Sequence, residues 1–433
     1  MTFIVILVAL IALLYLGMPM FAGMLLFSAA VLWFAEGHIG NLGEFVFGQL
    51  NVYLLVAIPL FMLMAHFMVR GKVVDDLYDT AHTLVRHLPG GLGVATVFAC
   101  AVFAAISGSS VATALTIGAV AIPQMLRYNY SPRGAYGVVA GGGTLGILIP
   151  PSAPMVLYGF VADTSIGALF MAGVLPGLLI SALFAAYCMI TEGRRERRMG
   201  PAHVRPPRAT WGEALASLRK SVWALSLPPF VLGGMYFGIF TATEAAAAGA
   251  LWALIIATVI YRKFGVRDLW EGACDAARTS AVLFLVIIAA GLFGYMLTIL
   301  RIPNQLVELV ATYDVSKYQF LVAAMVLIFL LGLVLESISI ILITTPVLLP
   351  VLDHLGIDKV WYGVLLTINL ELALISPPVG MNLIVIKSIT KAPLAEIDKA
   401  AIPYILMLIL GIAILIAFPQ IALWLPQTMR YGG

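Results

Sequence analysis

The stretch GGGTLGILIPPS, residues 141–152, places three glycines and two consecutive prolines inside a long apolar segment. A second stretch, ELALISPPVGMN at residues 371–382, repeats the Pro-Pro pair in the same setting. Each pair removes two N–H donors and disfavours helix immediately before it. We therefore expect both segments to be helices that break in mid-course, leaving backbone carbonyls near 146–149 and 373–376 without intrahelical partners.

Composition indicates that the solvent around these segments is lipid. Of the 433 residues, 62% are hydrophobic and 10% are charged, whereas soluble domains carry about 25% charged residues. The apolar residues form continuous runs near the ~20-residue length that spans a bilayer as helix. They do not alternate as barrel strands do. The sequence predicts an all-α polytopic membrane protein, and its dispersed basic residues give no sign of nucleic-acid binding.

Two apolar segments are too long for one crossing and carry a polar break. Segment 89–126 breaks at Ser107–Ser110, and segment 319–352 breaks at Glu336–Ser339. Each is either two crossings or a re-entrant hairpin. If both are hairpins, all but four of the 24 Lys and Arg lie on one side, as the positive-inside rule expects of the cytoplasm. This favours ten crossings, two hairpins and two periplasmic termini.

The two halves of the chain share a pattern. A shift of 227 residues places Pro123 on Pro350, Pro150–Pro151 on Pro377–Pro378, and Ser110 on Ser337. Five crossings per half, an odd number, would invert the second half relative to the first. Inverted repeats with broken helices are typical of secondary transporters, in which the breaks form the binding site.

This repeat predicts three regions. The N-terminal repeat, 1–190, contains scaffold helices 2–35, an arm 70–88, the hairpin 89–126 and the broken helix 134–162. A basic cytoplasmic linker spans 191–221. The C-terminal inverted repeat, 222–433, contains scaffold helices 222–261, an arm 301–318, the hairpin 319–352 and the broken helix 361–388.

The hairpin breaks and Pro-Pro breaks carry the candidate binding groups. In hydrocarbon an unsatisfied carbonyl costs several kcal/mol, and carbonyls with serine hydroxyls offer the oxygen ligands that a sodium ion takes. Each half-helix that resumes after a break presents N–H groups that favour an anion. We expect Ser109, Ser152 and Asn382 to line an anion site. The alternatives are simple kinks, and a capping role for Ser152 and Asn382.

Ionisable residues inside the membrane are rare and often functional. Glu336 and Glu371 are candidates for cation coupling or for a structural hydrogen bond, and both alternatives stay open. Glu244, near a helix end, is predicted to be structural, and His66 to be packed or interfacial. The chain lacks the spacing of a metal site, and no nucleophile has a nearby base. Neither a resident cofactor nor an enzymatic activity is predicted.

Three motifs resemble the large membrane subunit (permease) of tripartite ATP-independent periplasmic (TRAP) transporters, within a wider ion transporter superfamily. They are SGSSVATALTIGAVAIPQM (107–125), GGGTLGILIPPSAPMVLYG (141–159) and ISPPVGMNLIVI (375–386). The resemblance covers essentially the whole chain. It implies a sodium-driven, elevator-type importer of small organic anions, such as C4-dicarboxylates or sialic acid, in the bacterial inner membrane. It also implies two partners, a small four-helix membrane subunit and a periplasmic substrate-binding protein.

The resemblance further implies two sodium sites, each built from a hairpin tip and a Pro-Pro break. The first comprises Ser107, Ser110, Gly146, Ile149 and Pro151. The second comprises Gly332, Ser337, Ala373, Ser376 and Val379. Because the second tip has Glu-Ser-Ile-Ser where the first has Ser-Gly-Ser-Ser, the sites are expected to be pseudo-symmetric. The alternative function is a self-sufficient sodium- or proton-coupled anion transporter without partner subunits.

Overall fold

The computed structural model describes residues 12, 17–37, 42–71, 73–199, 207–262 and 264–429, which contain helices and no strand. The first half contains α1 (Met20–Glu36), α2 (Leu42–Leu50), α3 (Ala57–Arg70), α4 (Val73–Val85), α5 (Gly91–Ser107), α6 (Ser110–Arg127), α7 (Pro132–Gly143), α8 (Leu145–Leu148), α9 (Ala153–Val161) and α10 (Ile166–Met199). The second contains α11 (Trp211–Tyr236), α12 (Ala242–Ile255), α13 (Val266–Ile299), α14 (Ile302–Thr312), α15 (Lys317–Gly332), α16 (Ser337–His354), α17 (Lys359–Leu374), α18 (Met381–Thr390), α19 (Leu394–Ala417) and α20 (Gln420–Gln427). The predicted all-helical fold is confirmed.

Both segments with polar breaks form pairs of helices joined by a tight turn. Between α5 and α6, Gly108 has a φ of +59°, and the Ser109 side chain then caps α6 by accepting from the Ala112 N–H. A positive φ favours glycine, so the SGSS sequence ends one helix and starts the next. Between α15 and α16 the turn covers residues 333–336. We call residues 107–110 the first tip and residues 333–337 the second tip.

Both Pro-Pro segments are broken helices, as predicted. The first runs through α7 and α8, stops before Pro150, and resumes as α9 with a bend of 41°. The second runs through α17 and resumes as α18 after Gly380. The Pro150–Pro151 and Pro377–Pro378 peptide bonds are both cis.

The helices pack into two groups bridged by two short helices. In one group, α3 packs on α12 and α13, with α1 on α13 and α11 on α12. The other group contains the hairpins and broken helices with α10, α19 and α20. Helix α4 contacts α11 on one side and α5 on the other, and α14 contacts both α13 and α16. The predicted arms, 70–88 and 301–318, therefore link the two groups.

The predicted linker, 191–221, is helical at both ends. Helix α10 continues through Arg194–Arg198, since arginine is a good helix former. Helix α11 begins at Trp211, where a capping box joins Thr210 and Glu213. Of the residues between the two helices, 207–210 are not helical and 200–206 lie outside the described residues. The predicted first helix, 2–16, also lies outside them except for residue 12.

Length and apolarity identify the helices that can span a bilayer. Within the described ranges, seven helices are long and apolar enough, or eight if the bent pair around Pro150–Pro151 is one span. They include α6 and α16, which are limbs of the predicted hairpins. A polytopic membrane protein is confirmed, while the number of crossings and the orientation of the termini stay predictions.

Candidate functional site

A central cavity of about 450 Å³ lies between the two groups of helices. Its wall on one side contains both tips, Ser107–Ser110 and Glu336–Ile338, together with Ile147 and Pro151 of the first broken helix. The opposite wall is the face of α3 from Phe61 to Val69, with Thr279 of α13. Elements far apart in the sequence therefore meet around one space, as a transporter site requires.

The first tip packs directly against the first broken helix. A Cβ added at Gly146 would lie 2.5 Å from the backbone of Ser109 and Ser110, and one at Gly108 would lie 2.6 Å from the Pro151 carbonyl oxygen. Such distances leave no room for any side chain. Glycine at these two positions is what allows the tip and the break to touch.

Hydroxyl and carbonyl oxygens are concentrated at the first tip. The Thr113 hydroxyl donates to the Ser109 carbonyl (2.8 Å) and contacts the Ser107 hydroxyl (3.0 Å). Because a hydroxyl has one proton, Thr113 uses its own on Ser109, and the Ser107 hydroxyl can donate to Thr113 (3.0 Å) or to the Ser109 carbonyl (3.5 Å). With its proton used on either of these, the Ser107 oxygen keeps lone pairs for another group, which suits a cation.

Glu371 of α17 joins this tip from the other half of the chain. Its side chain is fully buried. Its Oε1 accepts one hydrogen bond from the Ser110 hydroxyl and another from the Ile147 N–H, at 3.0 Å. Within the described residues its Oε2 has no hydrogen-bond partner. The carboxyl group is thus hydrogen-bonded at the tip, and its part in cation coupling stays a prediction.

The residues predicted for the first sodium site are brought together. Ser107, Ser110 and Pro151 line the central cavity. Gly146 lies behind the tip, and Ile149 ends α8 in an extended conformation that stops the helix before the prolines. The set thus surrounds the contact between the first tip and the first broken helix, and its occupation by sodium stays a prediction.

The residues predicted for the second sodium site also cluster, but more loosely. A Cβ at Gly332 would clash with the Ala373 side chain, so the end of α15 packs on the end of α17. Ser337 lines the cavity. Ser376 is buried and donates to the Leu372 carbonyl (2.7 Å), whereas Val379 is 46% exposed. The second break is therefore more open than the first.

Of the three predicted anion contacts, only Ser109 lines the cavity. Ser152 is 1% exposed and caps α9 by accepting from the Met155 N–H (3.5 Å). Asn382 is fully buried in the first turn of α18, and within the described residues neither end of its amide has a hydrogen-bond partner. In this conformation both side chains lie behind the wall.

The remaining singled-out residues fall in different places. Glu336 and His66 both line the cavity, from the second tip and from α3 respectively. Glu244 forms a capping box with Thr241 at the start of α12, the structural role predicted for it. The sequence analysis did not identify Thr113, although its position four residues after Ser109 could have indicated it. It also did not identify the cavity wall formed by α3, for which the sequence shows no distinguishing pattern.

Solved structures share this fold. The Alcanivorax borkumensis YdaH transporter superimposes with a TM-score of 0.62 over 88% of this chain and 89% of that chain, at 14% identity. Neisseria gonorrhoeae MtrF, described among antimetabolite efflux pumps, gives 0.57 over 91% and 84%, at 11% identity. Likeness at such identity concerns the fold alone. Fold and cavity together define a polytopic α-helical membrane protein built around a central cavity.

The model of the tripartite ATP-independent periplasmic transporter DctM component matches residues 7–421. The chain therefore belongs to this family, the large membrane subunits of TRAP transporters, and the resemblance of its motifs is confirmed. It is 37% identical to a C4-dicarboxylate TRAP large permease of Pseudomonas aeruginosa, over 93% of each chain. It is 34% identical to an ectoine permease of Halomonas elongata, over 96% of each, and 32% identical to a sialic acid permease of Vibrio cholerae, over 97% of each. These relatives are permeases, not enzymes.

Proposed function

We propose that this chain imports a small organic anion across the bacterial inner membrane, coupled to sodium, as the large subunit of a tripartite transporter. The observation that carries the proposal is the central cavity. Hairpin tips from opposite halves of the chain lie in one of its walls, beside a broken helix and facing the second group of helices. This is the arrangement through which a bound substrate and its coupling ion can share one moving unit.

Sodium is the proposed coupling ion because the tips offer oxygen lone pairs. The hydroxyls of Ser107 and Ser110 both have acceptors within the protein, so their oxygens keep lone pairs at the cavity that they line. The second tip contributes Ser337 to the same wall. Hard cations take oxygen ligands from hydroxyls and carbonyls, so two pseudo-symmetric sodium sites at the two tips are consistent with this chemistry.

The anion would bind in the cavity beside the tips. Ser109 lies at the N-terminus of α6, where N–H groups favour negative charge. Ser152 and Asn382 would reach the anion only after a rearrangement that exposes them. The relatives' names span C4-dicarboxylates, ectoine, 2,3-diketo-L-gulonate, isethionate and sialic acid, so the substrate belongs to that range of small organic acids.

The proposed motion is of the elevator type, in an inverted repeat whose halves each supply one tip. The group with α3 and α11–α13 would stay fixed, and the group with the hairpins would slide along it. The cavity wall formed by α3 adjoins Arg70, which the positive-inside rule assigns to the cytoplasm. In that orientation, with both termini periplasmic, this end of the cavity faces the cytoplasm.

The partners of this subunit follow from its family. A small four-helix membrane subunit would brace the fixed group, and a periplasmic binding protein would deliver the substrate. The competing proposal is a self-sufficient sodium- or proton-coupled transporter. Copurification distinguishes them, because a lone transporter would bring down no small membrane protein and would take up substrate without a binding protein.

The test is substrate uptake into liposomes that contain the full-length chain and any membrane subunit that copurifies, supplied with the periplasmic binding protein. The acids named for its relatives serve as the panel. We expect uptake with an inward sodium gradient and none with potassium or choline. Ser110→Ala or Ser337→Ala should raise the half-saturating sodium concentration about ten- to a hundredfold, the cost of one lost polar ligand.

The control is Ser388→Ala, which removes an exposed serine of α18 that bonds only within its own helix. It should transport as the unmodified protein does. Full uptake without sodium, in the absence of a pH gradient, would refute sodium coupling. Full uptake without the binding protein, driven by either ion gradient, would favour the competing proposal.

A further inference from the structure

Glu371 is a buried acid whose place in the fold is unusual. It belongs to α17 of the second half, yet both of its hydrogen bonds reach the first half. Ser110 is 261 residues away in the sequence and Ile147 is 224. The carboxyl group thus stands where the first tip, the first broken helix and α17 meet.

The hydrogen bond from Ser110 fixes which way that hydroxyl points. A serine hydroxyl has one proton and two acceptor lone pairs. Because the proton is directed at Glu371 Oε1, only lone pairs remain for the central cavity, which Ser110 lines. A hydroxyl turned the other way would present its proton to the cavity and would repel a cation.

Holding the tip in place does not by itself require an acid. A buried polar group costs several kcal/mol where it is incompletely bonded, and Oε2 has no partner within the described residues. A neutral amide of similar size would supply the same acceptor to the Ile147 N–H and the Ser110 hydroxyl. In the first half, the 227-residue shift places neutral Thr144 at the matching position, where its hydroxyl bonds to the Gly141 carbonyl of its own helix.

We propose that Glu371 is a positioning residue for the coupling ion at the first tip: its Oε1 takes the Ser110 hydroxyl proton, so that the Ser110 oxygen presents lone pairs to sodium. This rests on the proposed sodium coupling and deepens it, because it makes the first site depend on a side chain from the other half. Since Oε1 accepts both hydrogen bonds, the function requires an acceptor and not a negative charge.

The experiment measures sodium-dependent thermal stabilisation of the purified full-length protein, with potassium replacing sodium at constant ionic strength. A ligand that binds only the folded state stabilises it according to its dissociation constant, so no transported substrate is needed. Glu371→Leu, which has no acceptor, should raise the half-saturating sodium concentration about tenfold. Glu371→Gln, whose carbonyl can accept both hydrogen bonds, should stay within about twofold. In a Ser110→Ala background, Glu371→Leu should cause no further change.

Several outcomes would overturn the proposal. If Glu371→Leu lowers the melting temperature without shifting the sodium response, the residue is structural only. If Glu371→Gln is as impaired as Glu371→Leu, charge is what matters. If the two changes to Glu371 and Ser110 add independently, the residues do not act as a unit. Glu371→Met, of similar volume, carries the same expectation should the leucine variant fail to fold.

Failure of this proposal is distinguishable from failure of sodium coupling. If sodium does not stabilise the unmodified protein more than potassium does, the proposed sodium coupling is refuted. If the unmodified protein and the Glu371→Leu variant respond equally to sodium, only the role proposed for Glu371 is refuted.

Discussion

Gly146→Ala tests whether the seam between the first tip and the first broken helix forms the ion site. The added methyl would lie 2.5 Å from the carbonyl carbon and oxygen of Ser109 and from the nitrogen of Ser110. Ordinary van der Waals contact begins near 3.4 Å, so the tip must retreat by almost 1 Å. These are backbone atoms, and no change of rotamer can move them aside.

The magnitude follows from overpacking. Extra methyl groups in packed interiors cost about 1–3 kcal/mol, and the absence of a flexible neighbour places this substitution in the upper part of that range. If ion binding needs the closed seam, a cost of about 2–3 kcal/mol weakens it by roughly thirty- to a hundredfold. We expect a lower melting temperature and a sodium half-saturation raised by that factor.

The assay is thermal unfolding of the purified full-length protein in a sodium–potassium series. Gly233→Ala is the matched control, because a Cβ at that position of α11 meets nothing within 4 Å. Alanine is also the better helix former, so the control should be neutral or slightly stabilising. A Gly146→Ala protein with an unchanged melting temperature would refute the packing argument. An unchanged sodium response in a destabilised protein would refute the location of the site.

Two further predictions concern the orientation of the chain and its cytoplasmic edge. In a cysteine-free background, cysteines placed at Gly40 and Asp353 should react with an impermeant reagent from the periplasm and one at Pro201 should not; labelling of Pro201 from outside would reverse the orientation. The backbone N–H of Thr210, and then Arg86, lower the pKa of Glu213, so its stabilising effect is present at neutral pH and is lost as pH falls through the lowered value. Glu213→Gln should therefore reduce the melting temperature at pH 7, with the deficit shrinking below about pH 4, and a deficit independent of pH would contradict the ionic origin.

Much of the fold was predictable because its causes are local. Apolar runs of bilayer length demand helices, since lipid satisfies no backbone group. Pro150–Pro151 and Pro377–Pro378 interrupt their helices, whereas Pro228–Pro229 lie within α11 without ending it. The Ser-Gly-Ser-Ser sequence supplies both a left-handed glycine and an N-cap. The structure confirms the breaks at these points, and the family match confirms the class of protein that their motifs indicated.

The ends of the linker were less predictable, because charge pattern and helix formation are separate properties. Arg194–Arg198 mark a cytoplasmic segment by charge, yet arginine continues a helix readily, and α10 extends through them. Composition therefore predicted a linker at 191–221 without locating the ends of the helices that enter it.

The partners within the site were decided by tertiary packing alone. Membrane helices face an environment as apolar as their own surfaces, so the sequence pattern does not reveal which face contacts which neighbour. That is why Glu371 could be singled out as an intramembrane acid, while its partner Ser110, 261 residues away, could not be named. For the same reason Ser152 and Asn382 were expected in the cavity but lie behind its wall, and the wall contributed by α3 was not foreseen. The sequence determines where these two helices break. The packing of the helices against one another determines which polar groups at the breaks come into contact.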